Sequence, residues 1–231
     1  MKKYPLYQKP LANPNPEKTF CLSTSYKDLD PDNLNEIIAK FEERIRCWFF
    51  KPTKDLIRKN IEANNFFAII IVCVIIDLLS QYWYGLPSSD GKKYKEFLKI
   101  FMGSFKSKIK PPLKHYFWNK QKGLWEEISL QDYAHAFYQI FRCGVLHNAM
   151  IMDCGRISGK SILKKSIKLR SWKYGSKKGK EIAVNPTLLL KNLEVFFNRY
   201  VEKLYNVHEG DLRKNFIKKF EWDFGVKISM N

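Results

Sequence analysis

The chain has 231 residues, 45% of them apolar and 15% aromatic, enough to build a sizeable core and to exclude disorder throughout. That length suits one large domain, or one domain with an appendage, rather than several. Lys and Arg number 41 against 23 Asp and Glu, and the resulting charge of +18 points to a polyanionic partner, either nucleic acid or an acidic membrane surface.

Residues 1 to 29 carry Pro5, Pro10, Pro14 and Pro16 among polar residues and are expected to form an irregular surface arm. Met1-Lys2-Lys3 is followed by Tyr4 and Pro5 with no apolar stretch, which does not read as a signal peptide. Asp30-Pro31 offers a helix start, with Ile37, Ile38, Phe41, Ile45, Trp48 and Phe49 on one stripe. Lys51-Pro52 is expected to interrupt that helix, and a short helix through Leu56, Ile57 and Ile61 should follow it. The apolar run Phe66 to Ile76, closed by Asp77, opens an element reaching about Tyr84; it reads as a buried central helix too short to span a bilayer. An amphipathic helix is predicted over Lys92 to Phe105, ended by Pro111-Pro112. Ser129 and Asp132 should cap a helix through Tyr133, Phe137, Ile140 and Phe141.

From Arg156 to Lys180 the character changes: ten basic residues and no acidic one. Ile162, Ile167, Leu169 and Trp172 suggest an extended ribbon, Tyr174 to Gly179 a turn, and Lys180 to Val184 the return strand. Asn185-Pro186 then starts a strong helix through Leu189, Leu193, Phe197, Tyr200 and Leu204, and a last short helix holds Leu212, Phe216, Ile217 and Phe220. The predicted fold class is therefore all-α: a helical bundle over residues 30–231, with the basic ribbon 156–184 inserted before the last long helix.

Chemistry-bearing motifs are few. His115, His135, His147 and His208 form no zinc-ligand spacing with each other or with Cys21, Cys47, Cys73, Cys143 and Cys154, and there is no CxxC pair, so no metal or other cofactor is expected. The odd, unpaired cysteines fit a reducing, cytoplasmic compartment. Gly155-Arg-Ile-Ser-Gly-Lys-Ser161 ends like a phosphate loop, but has three residues between its glycines where that loop requires four, and it leads into an extended segment. A turn entering a basic ribbon is the better reading.

Arg142 and His147 are the pair that suits catalysis without a metal. Imidazole can take the 2′-hydroxyl proton of RNA or supply one to the leaving oxygen, while a guanidinium holds the phosphate as it gains charge. Five residues on an ideal helix separate two side chains by roughly 140°. The pair converges only if the helix is distorted or ends between them, and Gly144 is the place for that. The alternative is an arginine in a salt bridge and a histidine satisfied in the core.

The segment Phe141 to Asn148, following two long helices of which the earlier is strongly apolar, resembles the HEPN superfamily, whose members carry an Arg-x4–6-His signature near a helix end. The resemblance covers roughly residues 30 to 205. It implies a compact helical bundle, a homodimer in which two Arg142/His147 pairs form one metal-independent endoribonuclease site, and products with a 2′,3′-cyclic phosphate and a 5′-hydroxyl. It also implies a place in toxin–antitoxin or antiviral defence, with an antitoxin or regulatory partner. Two positions depart from the family pattern: Cys143 stands where active members often have a polar residue, and Ala149 where one subfamily has tyrosine.

For RNA binding the expected residues are Arg156, Lys160, Lys164, Lys165, Lys168, Arg170, Trp172, Lys173, Lys177 and Lys178, cations interleaved with a stackable ring as single-stranded RNA requires. No basic amphipathic helix with a broad apolar face is present, so a membrane partner is not expected. Two readings remain open from sequence: a metal-independent endoribonuclease, and a non-catalytic module of the same fold that binds nucleic acid or protein.

Overall fold

A computed structural model describes residues 29–59, 61–119, 122–152, 154–158, 163–225 and 227–228; the expected arm at residues 1–29, apart from Leu29, and also Lys160 and Ile162 lie outside the described residues. The helices are α1 (Leu34–Ile45), α2 (Lys51–Arg58), α3 (Glu62–Tyr84), α4 (Gly91–Phe101), α5 (Tyr133–Phe137), α6 (Gly144–Asn148), α7 (Pro186–Tyr205) and α8 (Gly210–Phe224). The strands are β1 (Lys108–Asn119), β2 (Leu124–Asp132), β3 (Gly155–Ile157), β4 (Ile167–Tyr174) and β5 (Lys177–Val184). The expected all-α class is thereby corrected: this is a mixed α/β protein with a two-stranded antiparallel sheet, β1–β2, and a three-stranded sheet ordered β3–β5–β4.

The described residues fold as two compact units, one within 29–52, 77–90 and 194–228, the other within 53–76 and 91–193. In the first unit, α1, the end of α3, the second half of α7 and α8 meet through aromatic rings. Phe41 packs on Tyr82 and Phe216 with centroids 4.6 and 5.2 Å apart, and Phe50 packs on Phe197 at 5.5 Å. Each such contact adds about 0.5–1.5 kcal/mol beyond burial. The buried ammonium of Lys219 is held by Asp223 at 2.6 Å and donates to the Pro87 carbonyl, while Tyr82 Oη donates to the other Asp223 oxygen. Burial, followed by the Asp223 charge, pushes the Tyr82 phenol well above its ordinary value.

Several element boundaries differ from the sequence expectation for identifiable reasons. Asn33, not Asp30, caps α1, its side-chain oxygen accepting from Glu36 N–H at 3.1 Å. Lys51-Pro52 does not break the helix. Pro52 has no N–H to give, and the turn before it, Arg46–Phe50, is wound as a π-helix in which Lys51 N–H reaches back to the Arg46 carbonyl. The apolar helix runs through Asp77 to Tyr84 as expected, and the Asp77 carboxylate accepts from Ser89 Oγ at 2.6 Å. With 23 residues, α3 is by length and composition long and apolar enough to cross a membrane, contrary to the expectation from Phe66 to Ile76 alone; 44% of that window is buried inside the fold.

The second unit is where the two sheets lie. Pro111 and Pro112 sit within β1 rather than ending α4. They cannot donate to a ladder, and the register jumps there, from Lys108 opposite Asp132 to Leu113 opposite Leu130. α4 stops at Phe101 and a 3-10 turn, Gly103–Lys106, still delivers Phe105 to the core, against Phe137 at 5.4 Å. In the other sheet, β4 and β5 form the expected hairpin, but its turn is only Gly175 and Ser176, with φ of +58° at Gly175, so the return strand begins at Lys177. β3, which sequence did not suggest, runs parallel to the buried end of β5 at Ile182–Val184. Asn185 caps α7, accepting from Leu188 N–H at 3.2 Å and donating to the Leu163 carbonyl at 2.7 Å, with Pro186 in the first helical position.

Asp132 ends β2 and caps α5. Its carboxylate accepts from His135 N–H and from Lys99 Nζ, both at 2.8 Å; Ser129, the other expected capping residue, is paired inside the sheet with Lys114. Burial opposes the Asp132 charge, but the Lys99 and His135 hydrogen bonds outweigh it and hold the carboxyl below its ordinary value. A group depressed on folding stabilises above its unfolded pKa, here about 3.9, and that contribution is lost as pH falls through the folded value. Asp132→Ala is expected to cost about 1 kcal/mol in urea unfolding at pH 7, and the gap from wild type should narrow below pH 4.

A candidate Arg/His site at a π-helical turn

α5 does not simply continue to Asn148. Its second turn, Tyr138–Cys143, is a π-helix, and α6 then runs from Gly144 to Asn148. π-helical turns recur at functional sites because the extra residue per turn re-aims side chains. Here the outcome is direct: Arg142 Nη1 lies 3.0 Å from His147 Nε2. The divergence of an ideal helix is therefore overcome, by a widened turn just before Gly144.

Gly144 is required by close approach rather than by φ. A Cβ there would stand 2.5 Å from the Met150 carbonyl oxygen, because the chain folds back immediately after α6, with Met150 N–H bonding the Gly144 carbonyl. The reversal is made by Ala149, at φ +52°, the only positive φ outside glycine among the described residues. Met152 N–H then bonds the Ile140 carbonyl, and Gly155 packs against the Ile140 side chain, tying the start of β3 to the same π turn.

The two partners differ in exposure. Arg142 is buried at 9% exposed, its guanidinium carbon 5.5 Å from the centre of the Tyr138 ring and 6.0 Å from that of Tyr94. Desolvated cation–π contacts of this kind contribute about 1–2 kcal/mol each. His147 is exposed. A guanidinium has only donors, so in a hydrogen bond between the two Nε2 is the acceptor. At Cys143, burial pushes the thiol up, with the Arg142 charge opposing it.

The basic ribbon is sorted by its register. Trp172 stands opposite Gly179, Tyr174 opposite Lys177 and Arg170 opposite Glu181, which places these residues with Lys168 on one face. The Trp172 indole covers Gly179, where a Cβ would lie 2.7 Å from the ring. Lys173 and Lys178 face each other directly on the opposite face, which also carries Lys180. Lys164, Lys165, Lys168, Lys173, Lys177 and Lys178 are exposed, and Tyr174 is 84% exposed. The two arginines are engaged within the sheet: Arg156 lies 3.7 Å from Glu181, and half-buried Arg170 donates to Ser158 Oγ at 3.4 Å. Lys160 lies outside the described residues. Of the phosphate-loop look-alike, Gly155–Ile157 is a strand, and Gly159, Lys160 and Ser161 lie outside the described residues.

No family description, curated protein or solved structure with which the chain was compared matches it. The class defined by fold and site is thus a mixed α/β protein with a paired Arg/His helix end and a cationic β-ribbon.

Two substitutions of opposite sign test the local geometry. Gly144→Ala should destabilise by about 1–3 kcal/mol, since backbone must move to admit the methyl. Ala149→Gly should stabilise by about 1 kcal/mol through relief of the left-handed conformation. Both are read from denaturant midpoints at unchanged m.

Proposed function

We propose that the protein acts on RNA, as a metal-independent endoribonuclease in which His147 performs acid–base work and Arg142 stabilises the transition state. The observation that carries this reading is the 3.0 Å contact between Arg142 Nη1 and His147 Nε2 at an exposed helix end. A substrate phosphate competes with the imidazole for the arginine fork. As it engages the guanidinium, Nε2 is released to accept the 2′-hydroxyl proton, and the protonated ring then returns a proton to the 5′ leaving oxygen. The products are a 2′,3′-cyclic phosphate and a 5′-hydroxyl. The resemblance to the HEPN superfamily adds a homodimer with a composite site, and a role in defence with an antitoxin or regulatory partner.

The ribbon supplies substrate binding in this reading. Like charges directly opposite each other, as at Lys173 and Lys178, weaken a hairpin. A phosphate backbone relieves that repulsion, while Trp172 and Tyr174 on the other face offer stacking surfaces to unpaired bases. Cys47, Cys73, Cys143 and Cys154 form no disulfide, which supports a reducing, cytoplasmic location.

Burial of Arg142 between two tyrosine rings favours a second reading, a module of the same architecture that binds RNA without cleaving it. One experiment separates the two. With purified protein in EDTA, His147→Ala should abolish cleavage of single-stranded RNA and leave affinity within about twofold. Cleavage that survives in the variant overturns the enzymatic reading, and wild-type binding without cleavage selects the module. Affinity should also fall steeply with salt, and Lys173→Ala with Lys178→Ala should lower the slope of log K against log [salt] by about 1–2.

A further inference from the structure

A second pair of reactive side chains lies away from Arg142 and His147. Cys154 precedes β3, and its Sγ stands 3.6 Å from Nδ1 of His115 on β1. His115 is 4% exposed, whereas Cys154 is half-buried and not disulfide-bonded. The backbone on both sides is fixed. The Cys154 carbonyl accepts from Ile182 N–H at 2.7 Å, and His115 is in register with Ile128 across the β1–β2 hairpin. The contact thus joins a residue of β1 to the residue just before β3. Among the described residues no group of three His, Cys, Asp or Glu stands together.

We propose that Cys154 and His115 form an activated thiol, a site of covalent oxidation by small uncharged hydroperoxides. Nδ1 accepts the thiol proton, and the resulting sulfur anion attacks the nearer peroxide oxygen. The S–O bond forms as the O–O bond breaks. Sulfur loses two electrons and becomes a sulfenic acid, the peroxide is reduced, and its departing hydroxide takes the proton from His115 to leave as water or alcohol. Partial burial restricts the reagent to small molecules. The thiol of Cys143, raised by burial, is the internal control, together with half-buried Cys47.

The test uses the full chain at pH 7. Peptide mass spectrometry follows iodoacetamide labelling, and dimedone trapping follows limiting hydrogen peroxide. Cys154 should label at least tenfold faster than Cys47 and Cys143 in the wild type, and should be the principal dimedone adduct. In His115→Gln the Cys154 rate should fall about tenfold, to the range of the other two. The wild-type comparison stands alone if that variant fails to fold. Cys154 reacting no faster than Cys47 and Cys143, or at an unchanged rate in folded His115→Gln, overturns the proposal. None of these readouts depends on RNA cleavage.

Discussion

A single contact, 3.0 Å between the Arg142 guanidinium and Nε2 of His147, is the one on which the proposed chemistry rests. It exists because the backbone around it is irregular in a defined way. The π turn Tyr138–Cys143 widens the helix, Gly144 admits the returning Met150 carbonyl, and Ala149 turns the chain back through positive φ. A hydrogen bond involving a charged partner contributes about 1.5–3 kcal/mol, and the tyrosine rings on the guanidinium add to that. Those terms offset the strain at Ala149 and the less regular hydrogen bonding of the π turn. The consequence is an exposed imidazole whose Nε2 lies against a buried cation.

The helices were legible in the sequence because their apolar spacing is strong. Phe41, Phe97, Phe137, Leu193 and Phe216 all occupy the core that periodicity assigns to them. The Arg142/His147 pairing was also visible, as was the need for a distortion near Gly144. The form of that distortion was not. A π turn inserts one residue into a helix, and six residues are too few for hydrophobic periodicity to register the change. The β1–β2 hairpin was missed for a different reason. Pro111-Pro112 reads locally as a stop, and only the register jump around it lets a strand contain two prolines without ladder donors. That missed hairpin, with β3, is what makes the fold mixed rather than all-helical.

Register also refines the basic segment beyond its composition. A count of lysines between Arg156 and Lys180 treats them as equivalent. The strand pairing separates a face of Trp172, Tyr174 and Lys177 from a face of Lys173, Lys178 and Lys180, and turns both arginines toward partners in the sheet. The exposed lysines form the cationic surface of the ribbon, while Arg156 and Arg170 lie against Glu181 and Ser158.

The tautomer of His147 tests the central claim most directly. Long-range 15N–1H NMR of the imidazole, recorded where the ring is neutral, should show the proton on Nδ1 and an unprotonated Nε2. In Arg142→Gln, where the charged fork is gone, the population should move toward the other tautomer. A wild-type spectrum with the proton on Nε2, unchanged by that substitution, would contradict the account.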